Sequence, residues 1–418
     1  MGRKETMLRV SSNMMGDNLI NISKRNTERM LELQNNIATG LKHRVPRENP
    51  IGVNHSITYD RILFELGQFE KNVDDGKARM NLAESALANA TDVLQRIREL
   101  GLQGANGIYT KEDRAKIATE IDELLNELVL TANTQFKGRA VFGGNDTLED
   151  PFKAVRTYSK YAGKEIIQKV EYLGDMGDRN REIIRGDIVA INVPGNEVFW
   201  AENSSLFSSV DATNYVVPAD SRVRINGVPI DFKAGDNIEM IVNRINNAPV
   251  PVRASVNRMN GGLILETSSA RAIWVEDIEG STVMQDIGVI SGKVPPKNLS
   301  PTARVFGGTI FDMVMRIRDS LFMNDIEDTG SRALGGVDLA IENMLKYRTE
   351  LGARVNRLDM VKARIIQDRT NMEDILSKNE DVDIAEAITR LRMLELVHKS
   401  ALGVTARVIQ PTLLDFLR

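Results

Sequence analysis

One long apolar seam constrains this chain more than any other feature. Alternating steps of three and four from Tyr59 give Ile62, Leu66, Phe69, Val73, Gly76, Met80, Ala83, Leu87, Ala90, Leu94 and Ile97. Only Gly76 interrupts an otherwise apolar or small series, and this spacing is that of a helix packed along its length. A helix over about 53–105 would run roughly 80 Å at 1.5 Å per residue, longer than a compact globular domain is wide. The glycines at 101, 104 and 107 end it, and Thr110 with Glu112 and Asp113 starts a second helix carrying Ile117, Ile121, Leu124 and Leu128 on one face. The short connection predicts an antiparallel hairpin.

The far end mirrors this pattern. Val337, Ile341, Met344, Leu351, Val355, Leu358, Ile365, Met372 and Leu376 fall on a heptad lattice, with Arg348, Lys362 and Arg369 in intervening slots. Long basic side chains can lay their stems along such a seam and keep the charge in water. Outside these helices lie two more amphipathic ones. Residues 12–42 carry Leu19, Ile22, Met30, Leu33, Ile37 and Leu41, with Asn26 as the imperfect position, before Pro46 and Pro50. After a break at 379–383, a last helix carries Ile384, Ile388, Leu391, Leu394, Leu402, Ile409 and Leu413; Pro411 predicts that its last turn ends just before it. Isolated helices of this kind are marginal in water. They must pair with each other, pack also against neighbouring subunits, or join an ordinary intramolecular bundle.

Residues 139–306 change character. Ile188, Val189, Ile191 and Val193 lead to Pro194-Gly195 as a turn; Val223 and Ile225 precede Asn226-Gly227, then Val228, Ile230 and Phe232. Asp236 with Glu239 predicts a boxed helix start running through Ile245. Val252, Ala254 and Val256, then Asn260-Gly261-Gly262 and Leu263-Leu265, supply a second hairpin. The expected fold is therefore mainly α with a β-rich insert: a long antiparallel coiled-coil bundle built from both chain ends, plus a central α+β domain. The expected divisions are 1–46, a terminal helix; 47–138, a long helix and hairpin; 139–306, the β-rich domain with a ββαββ unit at about 220–270; 307–379, the returning helices; and 380–418, the last helix. Val141–Gly144 and Val305–Gly308 repeat the same Val-Phe-Gly-Gly at the insert's two ends.

Chemistry is sparse. The 418 residues hold no cysteine, and the histidines are the widely spaced His43, His55 and His398, which excludes thiolate sites and leaves little for zinc or a His-based triad. Gly-rich phosphate loops, dinucleotide fingerprints, His-Glu-x-x-His, Gly-x-Ser-x-Gly and calcium-loop patterns are absent. Asp74-Asp75 and Glu327-Asp328 are expected on solvated helix faces or turns, and His398 as a buried or interfacial histidine. With 54 Lys and Arg against 58 Asp and Glu, a net charge of −4 leaves no basic footprint for nucleic acid. No run approaches the ~18 apolar residues of a membrane span, and no cleaved export signal is visible at the start. The expectation is no enzyme, no cofactor, no metal, no nucleic acid and no membrane insertion.

Several segments resemble the hook–filament junction family of the bacterial flagellum, the hook-associated protein 3 family of the flagellin superfamily. These are Met7-Leu8-Arg9-Val10-Ser11-Ser12; Gly107-Ile108-Tyr109-Thr110 with Glu112-Asp113-Arg114; Ala132-Asn133-Thr134 and Gly138 to Gly144; Asn192-Val193-Pro194-Gly195 ahead of Val198-Phe199; Leu351-Gly352-Ala353-Arg354; and Leu413-Leu414-Asp415-Phe416-Leu417. Flagellin itself shares the plan, but 39–50 lacks the Asp-Asp-Ala-Ala-Gly-Leu run common after the first flagellin helix. Met7 is either the natural start or follows an upstream extension. The resemblance implies a structural adaptor exported unfolded through the flagellar type III apparatus and found in the flagellum, extracellular or periplasmic. Its implied partners are the first hook-associated junction protein, flagellin, a ring of like subunits, and an export chaperone at the C-terminal helix. The terminal stripes (Leu19, Ile22, Met30, Leu33, Ile37 and Leu41; Ile384, Ile388, Leu391, Leu394, Leu402, Ile409 and Leu413) would make subunit contacts in an inner tube. Leu66, Phe69, Val73, Met80, Leu87, Leu94, Ile97, Ile341, Leu351, Val355, Leu358 and Ile365 would form the seam of a rigid outer rod. A chain that crosses a narrow channel unfolded also gains from having no cysteine.

Overall fold

The structure, a computed structural model, describes residues 4–43, 45–291 and 298–409, with side chains over 17–18, 20–43, 45–291 and 298–404. Contacts divide the chain into a terminal unit, residues 1–70 with 363–418, and a central unit, residues 71–362.

The long helices form where the seams predict them. They are α1 (Lys4–Thr39), α2 (Pro50–Gly104), α3 (Lys111–Ala132), α9 (Leu334–Glu380) and α10 (Ile384–Ile409). Thr110 caps α3 by accepting from the Asp113 amide at 3.2 Å. In the central unit Val73, Met80, Leu87, Leu94 and Ile97 of α2 are fully buried, as are Val337, Met344, Leu351 and Leu358 of α9, while Ile341 and Val355 are half-buried. Arg96 of α2 pairs with Glu120 of α3 at 2.8 Å, and Arg114 Nε donates to the Gly104 carbonyl at 2.8 Å. The numbering of the partners runs in opposite directions, so the two helices are an antiparallel hairpin.

The basic residues in the α9 seam do more than snorkel. Arg348 pairs with Glu84 at 3.0 Å and Lys362 with Asp74 at 2.6 Å, joined by Lys77–Asp359 and Arg98–Asp338 at 2.5 Å each. Each exposed pair contributes at most about 1 kcal/mol. Together they reject any antiparallel register that sets like charges opposite each other. Asp75 is held by Lys137 at 2.7 Å and Asp328 by Arg316 at 2.7 Å, so both carboxylate doublets serve structural ion pairs.

Gly76 is a notch rather than a flaw. A Cβ built there would lie 2.9 Å from Ile191 Cγ2 and 3.6 Å from Leu358 Cδ1. Alanine at 76 would favour the helix by about 1 kcal/mol, but displacing Ile191 from a packed core costs about 1–3 kcal/mol. Gly76→Ala is therefore expected to lower the urea midpoint of the central unit, read by far-UV circular dichroism.

The insert begins with the two-residue pair β1 (Gln135–Phe136) and β2 (Arg139–Ala140). Two antiparallel hairpins follow, β3 (Phe152–Ser159) with β4 (Lys164–Tyr172) and β5 (Asn180–Ile184) with β6 (Asp187–Ala190). Pro194-Gly195 is not the tip of a hairpin, contrary to the sequence expectation. β6 ends at Ala190, and Pro194 instead precedes a single helical turn, α4 (Gly195–Val198). The reason lies in Asn192, whose side chain is committed elsewhere: its Oδ1 accepts from the Arg179 amide at 2.8 Å and its Nδ2 donates to Gly177 O at 2.9 Å.

Beyond it come β7 (Asn203–Phe207), β8 (Ser221–Ile225), β9 (Val228–Phe232), α5 (Ile238–Asn247), β10 (Val252–Val256), β11 (Leu263–Ala270), β12 (Val275–Ile278), the short α6 (Val283–Asp286) and β13 (Arg304–Phe306). Asn226 and Gly227 take φ of 46° and 82°, the positive pair a two-residue turn between β8 and β9 demands. The two hairpins do not share a sheet. β8 and β9 lie in a three-stranded sheet with β12, whereas β10 and β11 lie in a four-stranded sheet with β7 and β13. Ile238, Ile241 and Ile245 of α5 join both sheets in one core with Val223, Phe232, Val252 and Leu265. The cap of α5 is Asn237, accepting from the Met240 amide at 2.9 Å, and not Asp236 as the sequence suggests. Asp236 instead meets Arg244 at 2.6 Å, a charge-assisted bond that outcompetes a capping one.

The two Val-Phe-Gly-Gly segments converge on the α4 region. Gly195 N–H donates to Phe142 O at 2.8 Å, and Ala201 N–H donates to Gly308 O at 3.0 Å. Here Phe142, Phe152, Phe199 and Phe311, the last from α7 (Ile310–Met323), form one buried aromatic cluster with centroids 4.9–5.8 Å apart where they touch. Thr309 and Asp312 box the start of α7, and α8 (Ile326–Asp328) and a π turn at 329–333 lead into α9.

Candidate assembly surface

In the terminal unit α1 and α10 pack against each other. A backbone clasp fixes their common end: Lys42 N–H donates to Glu380 O at 2.6 Å and Val382 N–H to Gly40 O at 2.8 Å. Asp383 caps α10 by accepting from the Glu386 amide at 3.0 Å. α1 therefore runs toward the clasp and α10 away from it.

The predicted stripes divide into two sets. Met30, Leu33, Ile37 and Leu41 of α1 and Leu391 and Leu394 of α10 are half-buried, and only Ala387 of α10 and Asn26 of α1 are fully covered among the described side chains of the two helices. Ile22, Ile384, Ile388 and Leu402 remain exposed. The side chains of Leu19 and Ile409 and all of Leu413 and Pro411 lie outside the described residues, as does the closing 413–417 motif. Sequence reading missed a second exposed set on α10: Met393, Leu396, Val397 and Val404, at 63, 67, 44 and 50 % exposure. The signal was present as steps of four and seven through 393, 397 and 404, a stripe offset from the one counted. Ile20 and Leu31 add to the exposed apolar area of α1.

The same unit holds residues 50–70 of α2 and 363–380 of α9. Asn379 Nδ2 donates to Gly52 O and Ser56 Oγ at 2.9 Å each, and Arg369 pairs with Glu70 at 2.7 Å. Ile365 is buried, Leu66 and Phe69 are half-buried, and Phe64 is 77 % exposed. His43 is hydrogen-bonded to Asn49 at 3.0 Å and His55 stacks on Tyr59, so neither converges with His398, half-buried in α10. Among the described residues no group of three or more His, Cys, Asp or Glu is placed to hold a metal ion, and no helix is long and apolar enough to cross a membrane.

Paired terminal helices with exposed apolar stripes flank a β-rich insert in this chain. Three family descriptions match this chain: the bacterial flagellin N-terminal helical region over 10–147, the flagellin hook IN motif over 209–269 and the bacterial flagellin C-terminal helical region over 334–417. The chain belongs to the flagellin superfamily. It is similar to flagellin C of Vibrio cholerae serotype O1, at 26 % identity over 82 % of this chain and 81 % of that one. It is also similar to flagellin B of Vibrio anguillarum, at 24 % identity over 96 % and 97 %. Among solved structures, flagellar hook-associated protein 3 of Legionella pneumophila matches 77 % of this chain and 98 % of that one, at 20 % identity and a TM-score of 0.47.

Proposed function

We propose that this chain is a non-enzymatic adaptor joining the hook-associated ring to the flagellin filament. The observation that carries the assembly role is the apolar face of α10, on which Met393, Leu396, Val397 and Val404 are all exposed in the single chain. A free helix with that much apolar surface is stable in water only when a neighbour covers it. Like subunits of the ring, the first hook-associated junction protein and flagellin are the neighbours assigned to it after assembly. A chaperone on the C-terminal helix covers the same stripe before type III export. The rod-seam residues, from Leu66 to Ile97 on α2 and Ile341 to Ile365 on α9, serve a stiff outer wall, and the β-rich insert projects from it.

The choice of junction protein over filament subunit rests on the Asn192-Val193-Pro194-Gly195 motif. Its residues are fixed by packing: Asn192 ties the 177–179 loop, Arg354 Nη1 donates to Asn192 O at 3.1 Å, and Gly195 docks on Phe142. The second reading, a filament subunit, is favoured by the flagellins among its relatives at 24–26 % identity. Immunogold labelling of intact flagella with antibody to the β-rich insert separates the two. The adaptor reading expects label confined to a band at the hook-proximal end, and label along the whole filament contradicts it.

A further inference from the structure

In the central unit, Arg79 is only 3 % exposed, yet among the described residues no carboxylate lies within ion-pair distance of it. Its Nη2 donates to Ala140 O at 2.7 Å and Val141 O at 3.3 Å, and its Nε–H is buried without any partner. Two further arginines sit on backbone segments that pack beside it. Arg139 immediately precedes Ala140, the residue whose carbonyl Arg79 holds. Arg179 lies on a second segment: its carbonyl accepts from the Ile191 amide at 2.9 Å, and Ile191 fills the Gly76 notch one turn before Arg79 on the same helix face.

The group lacks compensation. Arg139 is exposed and bonds only the Thr147 hydroxyl, at 3.3 Å, while Arg179 is half-buried with no side-chain partner among the described residues. The carboxylate that Arg79 feels, Asp75, is engaged by Lys137 at 2.7 Å. Burial, then the charge of Arg179, and with a smaller effect that of Arg139, push the Arg79 pKa down to about 10, against the opposing pull of Asp75. A buried guanidinium with a free N–H and two like charges beside it is costly unless an anion completes it.

We propose that Arg79, Arg139 and Arg179 form an oxyanion site on the central unit, which takes one carboxylate or phosphate group. The guanidinium fork suits the planar or tetrahedral oxygens of either. The anion is either a free ion or the carboxylate of a neighbouring subunit, and the two sources separate experimentally.

The test uses the full chain and inorganic phosphate at constant ionic strength, with chloride as the balancing salt. Wild type is expected to bind phosphate saturably by calorimetry and to gain about 2–4 °C in Tm at 50 mM phosphate. The double variant Arg139→Gln/Arg179→Gln, which leaves the carbonyl bonds of Arg79 in place, is expected to lose most of that gain. Absence of saturable binding to wild type overturns the site, whatever the variant does, and so does an equal Tm gain in both proteins. Assembly in phosphate-free buffer then identifies the source. If a neighbour's carboxylate fills the site, the double variant co-assembles several-fold less and phosphate competes with wild-type assembly; if a free ion fills it, assembly yield is unchanged while the Tm response is lost.

Discussion

Leu396→Asp combined with Val404→Asp is expected to reduce incorporation into hook-proximal structures by more than tenfold while leaving the isolated chain as stable as wild type. Both side chains are exposed, at 67 and 50 %, and substitutions at such positions shift folding stability by only about 0.5 kcal/mol. In the proposed assembly the same positions are covered, and each desolvated carboxylate without a partner costs several kcal/mol, where about 1.4 kcal/mol already gives tenfold. Incorporation is read by pelleting and immunoblot, and stability by urea titration. Leu391→Asp makes an informative contrast. That side chain is half-buried in the α1–α10 pairing, so it is expected to damage the helix pair as well as the assembly. Equal incorporation of the Leu396/Val404 variant and wild type would remove this face from the account.

The second large effect is expected inside the central unit. Arg318 of α7 is fully buried, with Nη1 2.8 Å from Asp122 of α3, and Asp122 also receives Lys164 at 3.0 Å. The remaining partner of Arg318 is Asp319, at 2.8 Å, whose carboxyl burial pushes above the usual range and which is therefore a poorer counter-charge on its own. Asp122→Ala removes the buried counter-charge of the guanidinium and is expected to cost about 3–5 kcal/mol, a fall of about 5–8 °C in the Tm of a unit this size. Asp122→Leu with Arg318→Met removes both charges and is expected to recover most of the loss. Calorimetry on the three proteins checks it. A double variant no more stable than Asp122→Ala would mean that the pair contributes through its hydrogen-bond geometry rather than by mutual neutralisation.

The sequence shows the helices far more plainly than the buried ion pair. The helices of the central unit were legible because their apolar positions repeat at 3.5 residues over tens of positions, a signal that no local exception erases. Asp122 and Arg318 were not, because each sits on an apolar face as a polar residue among many, and their meeting depends on how α3 packs on α7. The same holds for Arg348 and Lys362: their seam positions were readable, but their partners Glu84 and Asp74 follow only from the antiparallel register. Gly76 looked like a defect in one dimension and is a socket in three. In the insert, the Asn226-Gly227 turn was read correctly because two positive φ angles select those residues locally. Asp236 and Pro194-Gly195 mislead because a competing partner, Arg244 in the helix that follows in one case and the 177–179 loop in the other, decides the local geometry. On α10 the first apolar stripe is legible in the sequence and masks the second, since one periodic pattern already accounts for a helix. A helix with apolar residues on more than one face has more than one neighbour to meet, and that is the feature the adaptor reading uses.

The most direct test of that reading is seeded assembly. Purified chain is added to isolated hook ends bearing the first hook-associated junction protein, and the products are viewed by negative-stain electron microscopy, followed by addition of flagellin. The account predicts a short cap of added density that stops growing however much chain is supplied, and filament growth only once flagellin is added. Long filaments from this chain alone would contradict it and identify the chain as the filament subunit.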